Sequence, residues 1–148
     1  MKTPDVNVLV YAVNLDAPQY ATATRWLEEA FRDASGIAFT WYALAGFLRL
    51  STQSRIVRTA LPLDTALGVV DEWLSHPHAR IIGPTERHAP LLARLLIGTG
   101  RGGNLVSDAH LAAIAIGHGA VLGTFDRDFE RFAGLRLDWL RGDAVHES

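Results

Sequence analysis

The chain has 148 residues, 49% of them apolar, which is enough for one substantial core and so for one domain with one principal site. It contains no cysteine, which excludes disulfides, thiolate zinc sites and a cysteine nucleophile and leaves oxygen and imidazole as the available ligands. The net charge of −2 lacks the broad positive footprint of a tight, metal-free nucleic-acid binder; Lys2 is the only lysine among the 14 basic residues, a skew that GC-rich coding explains as well as phosphate binding does.

The first segment admits two readings. Val6 to Val13 suits a buried strand, although Pro4 and Asn7 sit awkwardly in a central one; the alternative is a short strand ending near Asp5 and then a helix through Asn7–Ala12. The apolar run Val8–Val13 is too short for a signal peptide or a membrane span, so a cytoplasmic protein without a membrane partner is expected. Tyr20, Ala23, Leu27, Ala30 and Phe31 then recur at helical spacing, and Ile37–Thr40 reads as a buried strand. Helices follow over Trp41–Ser51 and Leu63–Leu74, with His76-Pro77-His78 as a solvated turn and Ala79–Ile82 as another buried strand. Leu91, Leu92, Leu95 and Leu96 mark the next helix, and Arg101–Asn104 is the most flexible-looking loop. Asp108 is expected to open the apolar helix Ala109–Ile116, before a strand over Ala120–Thr124. Residues 1–141 form the predicted domain, and 142–148 are expected to fray.

Strands alternating with helices predict an α/β sandwich with a central, mainly parallel sheet flanked by helices. Such sheets bind ligands at the carboxyl ends of their strands. Asp126 lies just past the end of its strand, and Asp108 and Asp5 can reach the same edge. Clustered carboxylates suit a hard divalent metal, and the chemistry expected of them is metal-assisted phosphodiester cleavage. At about 5 Å two such groups repel by roughly 3 kcal/mol at an effective dielectric near 20, so an empty cluster should hold a proton that metal displaces. Singly, each acid has a plainer reading: Asp5 and Asp108 as helix caps, Asp126 and Asp128 as turn residues.

Together, Asp5–Ala12, Asp108–Ala113 and Thr124–Phe129 resemble, in order, the motifs of a PIN domain, most closely the VapC-type toxins of bacterial toxin–antitoxin modules. The resemblance runs from Asp5 to about Trp139. It implies a PIN-like three-layer sandwich, an Mg²⁺ site that also accepts Mn²⁺, and endoribonuclease activity leaving 5′-phosphate and 3′-hydroxyl ends. It also implies RNA as substrate and a cognate antitoxin, peptide or protein, as inhibitor. Motif by motif, Asp5, Asp108 and Asp126 fall on catalytic and metal-binding positions, Asp128 on a further metal acid, and Asn7 and Thr124 on supporting polar positions. The chain departs from the family pattern where a glutamate usually follows the second strand: Ala43 stands at the matched position, with no acid between residues 39 and 59. That departure favours the alternative of a degenerate PIN domain that binds RNA or protein without cutting, whereas retention of four aspartates favours the enzyme.

Arg49, Arg55 and Arg127 are candidate phosphate contacts, and Trp41, Tyr42 and His110 flank the expected site, where they can meet RNA or antitoxin. Each has a solvated-surface or core alternative. A phosphoacceptor-aspartate domain needs a late lysine, which the chain lacks. The large apolar residues of the helices at 41–51 and 63–75 exceed what a small sheet covers, so a homodimer and a groove for an antitoxin peptide are expected.

Overall fold

The computed structural model describes residues 1–54, 59–100 and 102–141; Arg55, Arg101 and the expected fraying tail lie outside them. The first segment takes the second of its two readings. Strand β1 (Lys2–Pro4) stops at Asp5, whose carboxylate accepts the Val6 amide at 2.7 Å and caps helix α1 (Val6–Ala12). A helix places Val8 and Leu9, both fully buried, on the same side against the sheet, which an alternating strand cannot do. Pro4 ends the strand, where its missing donor costs little, and the next amide, Asp5 N, bonds Gly123 O at 2.9 Å.

Helix α2 (Tyr20–Arg32), strand β2 (Ile37–Phe39), helix α3 (Trp41–Ser51), helix α4 (Leu63–Leu74), strand β3 (Ala79–Ile81) and helix α5 (His88–Thr99) follow. Helix α6 (Leu105–His118), strand β4 (Val121–Thr124), a 3₁₀ turn (Arg127–Arg131) and strand β5 (Arg136–Trp139) complete the order. The described strands form one sheet in the order β3-β2-β1-β4-β5, every pairing parallel. Helices α1 to α4 pack one face around Leu9, Trp26, Phe39, Phe47 and Trp73; α5 and α6 pack the other around Leu95, Leu111, Leu122 and Phe129. This is the expected three-layer α/β sandwich. Among the described residues no helix is long and apolar enough to cross a membrane.

Three local expectations are corrected. Helix α6 starts at Leu105, so Asp108 lies within its first turn rather than opening it; Leu105 is buried with the α5–α6 core, which draws the helix back to the Gly102-Gly103 turn. Strand β3 is not buried: it is the sheet edge, and Ile81 is 47% exposed. Strand β5 was not anticipated, yet it covers β4 in register, with Gly123 opposite Asp138 and Thr124 opposite Trp139.

The centre of the sheet depends on one close approach. Trp26 of α2 lies flat over Gly123, and its indole N–H donates to Asp138 Oδ2 at 2.8 Å, tying α2 to β5. A Cβ on Gly123 would overlap the Trp26 ring. Gly123→Ala is therefore expected to cost about 2 kcal/mol of stability through overpacking, read as a lower urea midpoint with unchanged slope.

Candidate active site

The carboxyl ends of β1 and β4 are joined by a polar network. Asp5 is 7% exposed; its Oδ2 accepts the Thr124 hydroxyl at 2.7 Å. Thr124 Oγ1 in turn accepts the Asp126 amide at 3.0 Å and the Asn7 side-chain amide at 3.3 Å, while Asn7 Oδ1 accepts the Phe125 amide at 3.2 Å. Asn7 and Thr124 thus fix the loop that carries Asp126 relative to Asp5. Asp126 caps the 3₁₀ turn through the Asp128 amide at 2.9 Å. Asp128 points outward, its side chain 63% exposed and paired with Arg131 at 3.4 Å.

Asp108 faces this network from the first turn of α6. Burial pushes its carboxyl up to about 6, helped by repulsion from Asp5, Asp126 and Asp128 in that order, with Arg131 opposing. Burial likewise raises Asp5, against the hydrogen bonds from Thr124 and Val6, and Asp126 adds repulsion. The four aspartates share one electrostatic neighbourhood. Among the described residues, however, no three His, Asp or Glu side chains stand close enough to form a ready-made metal cage. The donors are hard carboxylate and hydroxyl oxygens, the chemistry that Mg²⁺ and Mn²⁺ take, and the charge crowding at Asp108 is what a cation relieves; the residues fit such an ion.

A cavity of about 670 Å³ opens between α1 and α3, with Asp5, Asp108 and Tyr42 at one end and Asn14 and Leu50 at the other. Helices α1 and α3 start side by side at the carboxyl edge and approach closely at Gly46, where a Cβ would come within 2.8 Å of Val6. Asp126, Asp128 and Thr124 stand behind this cavity rather than on its wall. Tyr42 lines it, its hydroxyl raised first by burial, and Arg49 lines it too. The remaining contact candidates lie elsewhere. Trp41 is 53% exposed outside it, and His110 turns to His88, with 2.9 Å between Nδ1 and Nε2. Arg127 lies over Trp139 and pairs with Glu130 at 3.1 Å.

Ala43 stands apart from the cavity. It is fully buried; the α3 positions on the wall are Tyr42, Ala45, Gly46, Arg49 and Leu50. None is acidic, so α3 brings no carboxylate to the cavity from any register. Sequence reasoning missed Val10, Tyr11 and Asn14 of the opposite wall; with Asn7 they recur at helical i, i+4 spacing, a signal usable only once this segment is known to be a helix.

Comparison with known proteins converges on one family. The PIN domain model matches residues 2–135. Ribonuclease VapC37 of Mycobacterium tuberculosis is 44% identical over 138 residues, covering 93% of this chain and 96% of that one; Ribonuclease VapC33 is 37% identical over 136 residues, covering 92% and 95%. Among solved structures, VapBC2 of Rickettsia felis bound to a promoter DNA fragment aligns with a TM-score of 0.66 at 23% identity, over 95% of this chain and 98% of that chain. The sarcin–ricin-loop-cleaving toxin VapC20 of M. tuberculosis aligns at 0.65 and 18% identity, over 92% and 99%.

Because the folded state raises the Asp108 pKa, ionising this carboxyl costs stability that is intact below its unfolded pKa and lost as pH rises through about 6. Asp108→Asn should therefore stabilise the metal-free protein near pH 7 by about 1 kcal/mol, the shift being discounted for partial exposure. Below about pH 4 the gain should vanish. Mg²⁺ should raise the melting temperature of the wild type more than that of the variant, which differential scanning fluorimetry reads directly.

Proposed function

The chain belongs to the PIN-domain family, and from that premise, with VapC ribonucleases as its relatives, we propose that it is a divalent-metal-dependent endoribonuclease toxin neutralised by a cognate antitoxin. The observation that carries this reading is the cavity lined by Asp5 and the charge-crowded Asp108, in a chain 44% identical to a named ribonuclease. Asp5, Asp108 and Asp126 hold the ion, Mg²⁺ or Mn²⁺, with Asp128 as an outer acid. When bound, that ion polarises water and offsets the negative charge that develops on a phosphodiester under attack.

The chain's own residues do the rest. Thr124 keeps one oxygen of Asp5 hydrogen-bonded, so that carboxylate is oriented before any ligand arrives. Asn7 and the Asp126 amide share Thr124, fixing Asp126 behind the pair. Asp108, with a pKa near neutrality, holds a proton in the empty site and gives it up when a cation or rising pH favours the carboxylate. Tyr42 and Arg49 meet RNA or antitoxin on the cavity wall, while Trp41, His110 and Arg127, which lie off that wall, serve a substrate or antitoxin that extends beyond it.

VapBC2 of Rickettsia felis and VapBC of Salmonella typhimurium are solved structures of this fold, which supports an antitoxin partner here. The exposed apolar side chains of Trp41, Leu63 and Leu67 suit covering by such a peptide or by a second copy in a homodimer. An inhibitor arginine reaching Asp5 and Asp108 would satisfy both carboxylates. A cytoplasmic location belongs to the same reading.

The protein should cut single-stranded RNA with Mg²⁺ or Mn²⁺, stop with EDTA, and lose cutting in Asp108→Asn without loss of fold. At subsaturating Mg²⁺ its rate should rise with pH through about 6, as Asp108 loses its proton, and the midpoint should move lower as Mg²⁺ is raised. Expression should arrest growth, and co-expression of the adjacent small gene should restore it. Binding without cutting across whole-cell RNA would instead establish the degenerate reading, which the acid-free wall of α3 favours.

A further inference from the structure

The cavity is bipolar. Asp5 and Asp108 occupy one end, and among the described residues Arg49 is the only lysine or arginine on its lining. Tyr42, Ala45 and Arg49 form one stripe of α3, placing the Arg49 backbone roughly 10 Å along the helix from Tyr42, within reach of an extended arginine side chain. Arg49 lines the same cavity as Tyr42, Asp5 and Asp108. Arg49 is exposed, and among the described residues its guanidinium donates no hydrogen bond and has no carboxylate partner. Arg94, Arg127, Arg131 and Arg136, by contrast, are each engaged by a carbonyl or an acid.

A phosphodiester entering this cavity meets the carboxylates of Asp5 and Asp108 and needs positive charge on both sides to stay. A single ion among the aspartates supplies one side. The other wall carries no acid with which to hold a second ion, and it offers a free, planar donor fork that matches a pair of phosphate oxygens. On the ribonuclease reading above, we propose that Arg49 binds the scissile phosphate from the wall opposite Asp5 and Asp108 and stabilises the charge gained in the transition state. Arg49 is then a catalytic residue. The apolar stretch beyond it, Val10, Tyr11 and Leu50, leaves room for the adjoining nucleoside.

The test has two arms on the full chain. In the first, a short fluorescein-labelled single-stranded RNA is titrated with Asp108→Asn protein in Mg²⁺, with and without Arg49→Ala. Loss of one phosphate contact should weaken binding by about tenfold and reduce the salt slope by about 0.7. In the second, an RNA that the wild type cuts is used: kcat should fall by about 10² to 10³ in Arg49→Ala, recover partly in Arg49→Lys, and recover partly in Arg49→Ala with free guanidinium. Because Arg49 makes no internal bond among the described residues, each Arg49 variant should melt with its own parent, wild type or Asp108→Asn. Unchanged affinity and salt slope would overturn the contact. A raised KM with kcat intact would place Arg49 on a neighbouring phosphate and overturn the catalytic role. A wild type that cuts, with kcat unaffected in Arg49→Ala, would overturn the Arg49 role alone; a wild type that does not cut would overturn the ribonuclease reading and that role together.

Discussion

Burying one carboxylate at the end of the central strand is the constraint from which the carboxyl edge of this sheet is built. Asp5 loses nearly all of its water, and desolvation is the largest influence on its protonation. Two short hydrogen bonds, from Val6 N and Thr124 Oγ1, offset part of that cost, and both are available only if α1 starts immediately after β1 and β4 ends beside it. Thr124 then becomes a junction: buried, it donates to Asp5 and accepts from Asn7 and from the Asp126 amide. One desolvated acid therefore sets where a helix begins, where a strand stops and where the next acidic loop is held.

Adding Asp108 to that edge works against stability. Its carboxyl is pushed up to about 6 because burial and three other aspartates oppose its charge. A fold selected only for stability would place a neutral residue here; crowding like charges makes sense where a cation or a cationic partner arrives to relieve it. Three of these acids do not by themselves stand close enough to cage an ion. Asp128 is drawn off from the others by its pairing with Arg131 at the surface.

Much of this was legible in the sequence, and the exceptions have physical causes. Alternating apolar runs and helical stripes define the layers, and the aspartates identify the working edge because parallel strands deliver their ends to one side. Strand β5 escaped notice because Arg136-Leu137-Asp138-Trp139 is too short to establish a period, and its formation depends on pairing with β4 and on the Trp26 bond to Asp138. The start of α6 was misplaced because an aspartate before an apolar run looks like a cap, whereas burial of Leu105 draws the helix one turn earlier. Ala43 was singled out by position along α3; which face of α3 meets the cavity is decided by its contact with α1 at Gly46, a tertiary fact that no local count contains.

That contact also explains the polarity of the cavity. With Gly46 against Val6, α3 lies too close to α1 for a bulky side chain at the crossing, and Arg49, the one charged side chain that α3 brings to the cavity, comes from the turn beyond it. Acids consequently come from β1, the β4 loop and α6, while the α1–α3 wall is apolar apart from amides, Tyr42 and one guanidinium. Charges of opposite sign on facing walls of a low-dielectric cleft orient an anion along one direction and discourage it from sliding past. The same asymmetry bears on inhibition. A partner that neutralises the acids with an arginine meets Arg49 as a like charge, so an efficient inhibitor segment should also present an acid or a carbonyl to the α3 wall.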